Sequence, residues 1–194
     1  MSARLDAAIT AIDAANTADP DTSEGRPAAL LYGERMTSEV DRLFPEASDV
    51  LRIAARGQHI ERWMLPRKDF PEGRAGYLDW RREQGRRHGA RVAAIMAEAG
   101  YGPEDCERAG VLLRKEGIKR DAEVQALEDV ICFVFLKWYF APFSGTQSPE
   151  ALDKIVKRTA RKMSAEGRAR VLEEFDLPEE LAVAFRDQED QGAG

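Results

Sequence analysis

His59 is one of two histidines in the chain, and it lies in the run Arg56-Gly57-Gln58-His59-Ile60-Glu61-Arg62-Trp63. On a helix, Arg52, Arg56, His59 and Trp63 share one face, because offsets of three, four and seven residues align. Val50, Ile53, Ala54, Gly57, Ile60 and Met64 take the opposite face and meet the core. A face of guanidiniums, an imidazole and an indole suits a pocket for an anionic ligand, with His59 able to give or take a proton. The same pattern also fits a histidine that caps or bridges helices.

Glu128 and Asp129 form a second candidate group, at the entry to an apolar run. Gln125, Asp129, Cys132 and Leu136 make one helical stripe there. Carboxylates beside buried apolar residues are costly unless paired or bound to a cation. The arginines and His59 are natural partners, either as a structural ion pair or as part of a site. His59, Asp129 and Glu128 are therefore the catalytic candidates, and His59 and Asp129 the candidate metal ligands.

Further anion-binding candidates are Arg56, Arg62 and Trp63 from the first run, and Arg67 and Arg74 from the proline-bounded loop at 65–75. Tyr77, Trp80, Arg81 and Gln84 follow at offsets of three, four and seven. Unpaired N–H groups at a helix start favour phosphate, and aromatics beside arginines suit a base or sugar ring. Packing plus solvated arginines explains the same pattern equally well. Lys115 is a binding candidate or a cation placed to favour a helix C-terminus. His88, in Arg86-Arg87-His88, reads as a surface histidine.

The elements that must position these groups are helices. Of 194 residues, 43% are hydrophobic and 33% charged, the balance of a globular chain. Period-3.6 patterning recurs and no run alternates with period two. Helices are expected near 2–16, 28–44, 49–64, 76–99, 103–116, 122–140, 149–163, 165–175 and 178–187, with a disordered tail at 189–194. The reading is an all-α, single-domain bundle over 1–188. Residues 130–140 are apolar nearly all round, so the helix near 122–140 is expected to be central and buried.

Partners follow from charge. The net charge is −6, yet residues 52–91 hold eleven basic and five acidic side chains, a local +6. That pattern disfavours duplex nucleic acid and points to a local pocket for an anionic small molecule or nucleotide. No apolar stretch reaches eighteen residues, so no membrane span is expected, and the start lacks signal-peptide features, which makes the cytoplasm the expected location. Cys106 and Cys132 read as small buried hydrophobes rather than a disulfide or zinc site. No P-loop, G-x-G-x-x-G or G-x-S-x-G is present.

Several segments together carry a resemblance. They are Asn16-Thr17-Ala18-Asp19-Pro20, Leu31-Tyr32-Gly33-Glu34-Arg35-Met36-Thr37, Gln58-His59-Ile60-Glu61-Arg62-Trp63, Gly76-Tyr77-Leu78-Asp79-Trp80-Arg81, Gln125-Ala126-Leu127-Glu128-Asp129-Val130 and Lys162-Met163-Ser164. In order and extent they resemble domain-of-unknown-function family 4202. More distantly, the chain is similar to the HD superfamily of helical, metal-dependent phosphohydrolases. That similarity implies an HD-like fold, a divalent metal, and His59 and Asp129 among its ligands. Ile60 stands where the aspartate of the His-Asp pair belongs, and Met36 near the place of the first histidine. His88 matches a position where some HD enzymes hold a further histidine. The function implied is a hydrolase of a phosphorylated metabolite or nucleotide, with a non-catalytic binding module or an interaction protein as the alternatives.

Overall fold

A computed structural model of the chain describes residues 2–186, so the tail at 189–194 lies outside the described residues. Ten α-helices and no strand occur among the described residues, as the patterning requires. Contacts divide the chain into two compact units, one ending at Gly117 and one beginning at Ile118. No described helix is long and apolar enough to cross a membrane.

The first unit holds α1 (Ala3–Asn16), α2 (Ala28–Leu43), α3 (Asp49–Arg56), α4 (Gly73–Glu98) and α5 (Pro103–Arg114). Ser2 and Ser48 cap α1 and α3 by accepting from the backbone N–H of Leu5 and Leu51. Asp19 ties down the start of α2, its Oδ2 accepting from Ala29 N–H at 2.8 Å. The core is the expected apolar stripes: Leu5, Ala8 and Ile12 of α1, Met36 and Val40 of α2, Ile53 and Ala54 of α3, Val92 and Met96 of α4. Helices α4 and α5 approach through glycines. A Cβ on Gly89 would lie 3.2 Å from the Gly110 Cα, and one on Gly85 would lie 3.1 Å from the Leu113 carbonyl oxygen.

The second unit holds α6 (Ala122–Val134), α7 (Phe140–Ser144), α8 (Pro149–Lys162), α9 (Ala165–Glu174) and α10 (Glu179–Arg186). Helix α6 is buried as expected, with Val124, Leu127, Val130, Phe133 and Val134 all within the core. The helical path expected to 140 is present and runs on to Ser144, but it is not a single α-helix. A π-helical turn over Phe135–Tyr139 separates α6 from α7. Phe135 packs edge-on against Phe140 and Phe143, both with ring centroids 5.9 Å away, so this aromatic end forms its own cluster.

Candidate functional site

The helix expected over 49–64 stops at Arg56, and that reshapes the site. Gly57 caps α3 where a Cβ would lie 2.4 Å from Val92 Cγ2, so the chain turns against α4 at a point no larger residue fits. Residues 57–61 form turns, and Glu61 adopts left-handed backbone at φ 49°. Asn16 Oδ1 accepts from Glu61 N–H at 3.0 Å and fixes that turn. Beyond it, Trp80 Nε1 donates to the Leu65 carbonyl at 2.9 Å, and Gln84 Nε2 donates to the Arg62 and Leu65 carbonyls at 3.0 Å each. Helix α4 therefore holds the segment that carries Arg62.

The proposed shared face of Arg52, Arg56, His59 and Trp63 is corrected by this turn. Arg52 pairs with Asp41 and donates to the Pro45 and Ala47 carbonyls. Arg56 is buried, and its guanidinium grips both carboxylate oxygens of Asp13 at 2.6 Å and reaches Thr37 Oγ1 at 3.3 Å. It braces α1 against α3 and has no donor directed at a ligand. Trp63 is half-buried in a 3-10 turn. Arg67 donates to the carbonyls of Phe70, Pro71 and Gly73, so it staples its own loop. Arg74 is exposed in the first turn of α4.

The remaining candidates do gather. The Tyr32 ring stacks on His59 with centroids 3.7 Å apart at 15°. The His59 and His88 rings are 6.4 Å apart and tilted by 53°. The Arg62 guanidinium lies over the Trp80 ring at 4.7 Å, a cation–π contact. Arg81 donates to the Tyr77 hydroxyl at 3.1 Å. Tyr77 is 40% exposed and stands 5.9 Å from Trp80, so an aromatic edge opens to solvent beside these cations.

Electrostatics show what this group is suited to hold. Burial holds the His59 pKa well below the ordinary histidine value, and the charges of Arg62, His88, Lys115 and Arg81 depress it further. Burial, then Arg62 and Arg87, push His88 down to about 3. Burial and the neighbouring Arg81 lower the Arg62 pKa too. Both imidazoles are therefore neutral at physiological pH, in a field made by cations. Among the described residues, no carboxylate lies within ion-pair distance of Arg62 or Arg81.

His88 corrects a second expectation. It is 5% exposed rather than a surface residue. It hydrogen-bonds the Gln58 backbone, and its Nε2 is buried with no hydrogen-bond partner among the described residues. Trp80, Gln84 and His88 recur every four residues on α4 and are all buried, a stripe that the charged neighbours Arg86 and Arg87 mask in the sequence. Tyr32 is the other contributor that sequence reasoning passed over. It belongs to the apolar stripe of α2 with Ala29, Met36 and Val40, which gives no hint of a ring stacked on histidine.

Glu128 and Asp129 belong to the second unit and are engaged there. Asp129 is 4% exposed; its Oδ1 accepts from Ser164 N–H at 2.8 Å and Gln125 Nε2 at 3.0 Å, and its Oδ2 from the Ser164 hydroxyl at 2.6 Å. Burial raises its pKa, and the Ser164 and Gln125 hydrogen bonds work against that rise. Ser164 in turn caps α9 by accepting from Gly167 N–H at 2.8 Å. Asp129 thus anchors a helix start. Glu128 is fully buried and lies 3.4 Å from Lys162 Nζ.

A divalent metal does not fit these residues. Apart from neutral His88, the groups acting on His59 are the cations Arg62, Lys115 and Arg81, which repel another. The Asp129 oxygens accept three hydrogen bonds already. No three His, Cys, Asp or Glu side chains gather into a metal-binding set among the described residues. The arrangement suits an oxyanion instead, with guanidiniums to neutralise it and neutral imidazoles to hydrogen-bond it.

Comparison with known proteins agrees in extent with the sequence segments quoted above. The model of a family described as a domain of unknown function matches residues 6–184. No curated protein matches, and no solved structure does.

Proposed function

Since the chain belongs to the DUF4202 family, we propose its function from its own residues: it binds a phosphorylated small molecule or nucleotide in the first unit and acts on it as a hydrolase. The observation that carries this reading is the desolvated Arg62 guanidinium with no carboxylate partner, beside Arg81. The guanidinium is partly desolvated and meets only the Trp80 ring, so a group of opposite charge is favoured beside it. A phosphoryl group supplies that charge. Arg62, Arg81 and Lys115 bind it, and Tyr77 and Trp80 offer a ring edge for a nucleoside.

In the reaction, a water oxygen bonds to phosphorus and the ester P–O bond breaks. His59 takes the proton of the water and returns it to the leaving alkoxide. An HD-like scaffold and a cytoplasmic setting are part of this reading; the all-helical build supports the first. A second reading, binding without turnover, is favoured by one observation. Burial and the surrounding cations hold His59, the proposed base, well below the ordinary histidine value, and so below the pH at which a general base works best.

The test is calorimetric titration with adenosine monophosphate and inorganic phosphate, followed by a screen for phosphate release from phosphomonoesters. Turnover that disappears in His59→Ala while binding persists supports the hydrolase. Binding without release in the wild type selects the second reading. No binding of any phosphate compound overturns both.

A further inference from the structure

We infer that the oxyanion this site selects is one that carries its own proton, a hydrogen-phosphate group, and that His88 Nε2 accepts that proton's hydrogen bond. The inference rests on the anion-binding reading above and adds to it a chemical class and a residue that determines specificity.

The argument starts from a buried acceptor. A ring N–H of His88 donates to the Gln58 backbone, which fixes the tautomer and leaves Nε2 as an acceptor. That nitrogen is buried and has no donor among the described residues, a costly state when nothing meets it. The nearby charged groups include Arg62 and Arg81, yet both guanidiniums are positioned elsewhere: Arg62 over Trp80, Arg81 on the Tyr77 hydroxyl. The His88 ring lies 6.4 Å from that of His59, and Arg62 sits over Trp80 with its carbonyl held by Gln84, both residues of the same buried α4 stripe as His88, so the unpartnered nitrogen and the unpaired guanidinium lie along one face.

An oxyanion in that region meets donors on most sides and one acceptor. Fully deprotonated sulfate presents lone pairs to His88 Nε2 and repels it. A phosphate that retains a proton presents a P–O–H donor. Charge alone works the other way, because cations favour the sulfate dianion over a phosphate monoanion. A preference for phosphate is therefore a signature of the acceptor and not of the arginines.

The test compares inorganic phosphate with sulfate by calorimetry on the full chain at about pH 6, where phosphate still holds protons. The expected result is phosphate bound at least about tenfold more tightly than sulfate. In His88→Phe that preference is expected to vanish, with sulfate affinity no weaker than in the wild type. Equal binding of the two anions by the wild type overturns the inference and leaves the anion site standing; this arm needs no variant and holds even if His88→Phe fails to fold. A preference that survives in folded His88→Phe overturns the role of His88. Binding of neither anion overturns the underlying reading.

Discussion

Acidification is expected to destabilise this protein through its two histidines, and the size follows from His88. An unfolded histidine titrates near 6.5, whereas burial and the Arg62 and Arg87 charges bring folded His88 to about 3. The folded-state value is depressed, so the unfolded chain takes up a proton that the fold refuses. Stability from this group is complete above the unfolded value and is lost as pH falls from 6.5 towards about 3. Between about pH 7.5 and pH 5, linkage removes roughly 2 kcal/mol through His88 alone. His59 shifts in the same direction for the same leading cause, burial, and steepens the loss. Asp129 acts oppositely, since its raised pKa makes its protonation favour the fold as pH falls. Comparing wild type with His88→Leu cancels that contribution. Urea denaturation at both pH values is the assay, with the loss in His88→Leu expected to be smaller by about 2 kcal/mol. Equal losses in the two proteins refute the account of a neutral, cation-flanked imidazole.

Other expectations concern single residues. Arg62→Met is expected to move two assays in opposite directions. Removing a desolvated charge that Arg81 repels raises stability by about 1–2 kcal/mol in thermal unfolding, while phosphate binding weakens by roughly ten- to hundredfold. Asp129→Ala strands the Ser164 N–H and the Ser164 hydroxyl and leaves the Gln125 amide with the Lys162 carbonyl alone, and is expected to cost about 2–4 kcal/mol in urea denaturation. Gly89→Val places side-chain atoms against the Gly110 Cα, with an expected loss of about 1–3 kcal/mol in the same measurement. Gln84→Leu removes the donor that pins the Arg62 and Leu65 carbonyls; calorimetry is expected to show weaker phosphate binding, with a stability loss of only about 1 kcal/mol.

The helices were legible because their signals are local. Helix α3 starts at the expected position 49 behind its Ser48 cap, and α8 at the expected position 149, where Pro149 follows Ser148. The end of α3 was not legible, because the apolar pattern runs on through Ile60, while the turn that replaces the helix is fixed by Asn16, forty-five positions from Glu61. That one error placed Arg56 and Trp63 on the His59 face. The sequence likewise gives no sign that Asp13 claims Arg56, since their pairing exists only once α1 and α3 pack. Arg62, Trp80 and Arg81 were visible as candidates from residue type and helical spacing. His88 was read as a surface residue because Arg86 and Arg87 precede it, although its register with Trp80 and Gln84 marks the inner face of α4. The role of Asp129 was half visible. A carboxylate beside an apolar run needs a partner, but only the fold shows that Ser164 is that partner.

The glycine seam between α4 and α5 has a consequence for how a ligand is received. Trp80, Arg81, Gln84 and His88 ride on one helix of 26 residues, a rod about 39 Å long. At Gly85 and Gly89 that rod rests directly on the backbone of α5, with no side chain between to act as a cushion. This side of the proposed site cannot yield to an ill-fitting guest. Adaptation, where a guest demands it, falls to the turn at 57–65, and a substitution anywhere along the seam is transmitted as a displacement of Trp80, Arg81, Gln84 and His88 together.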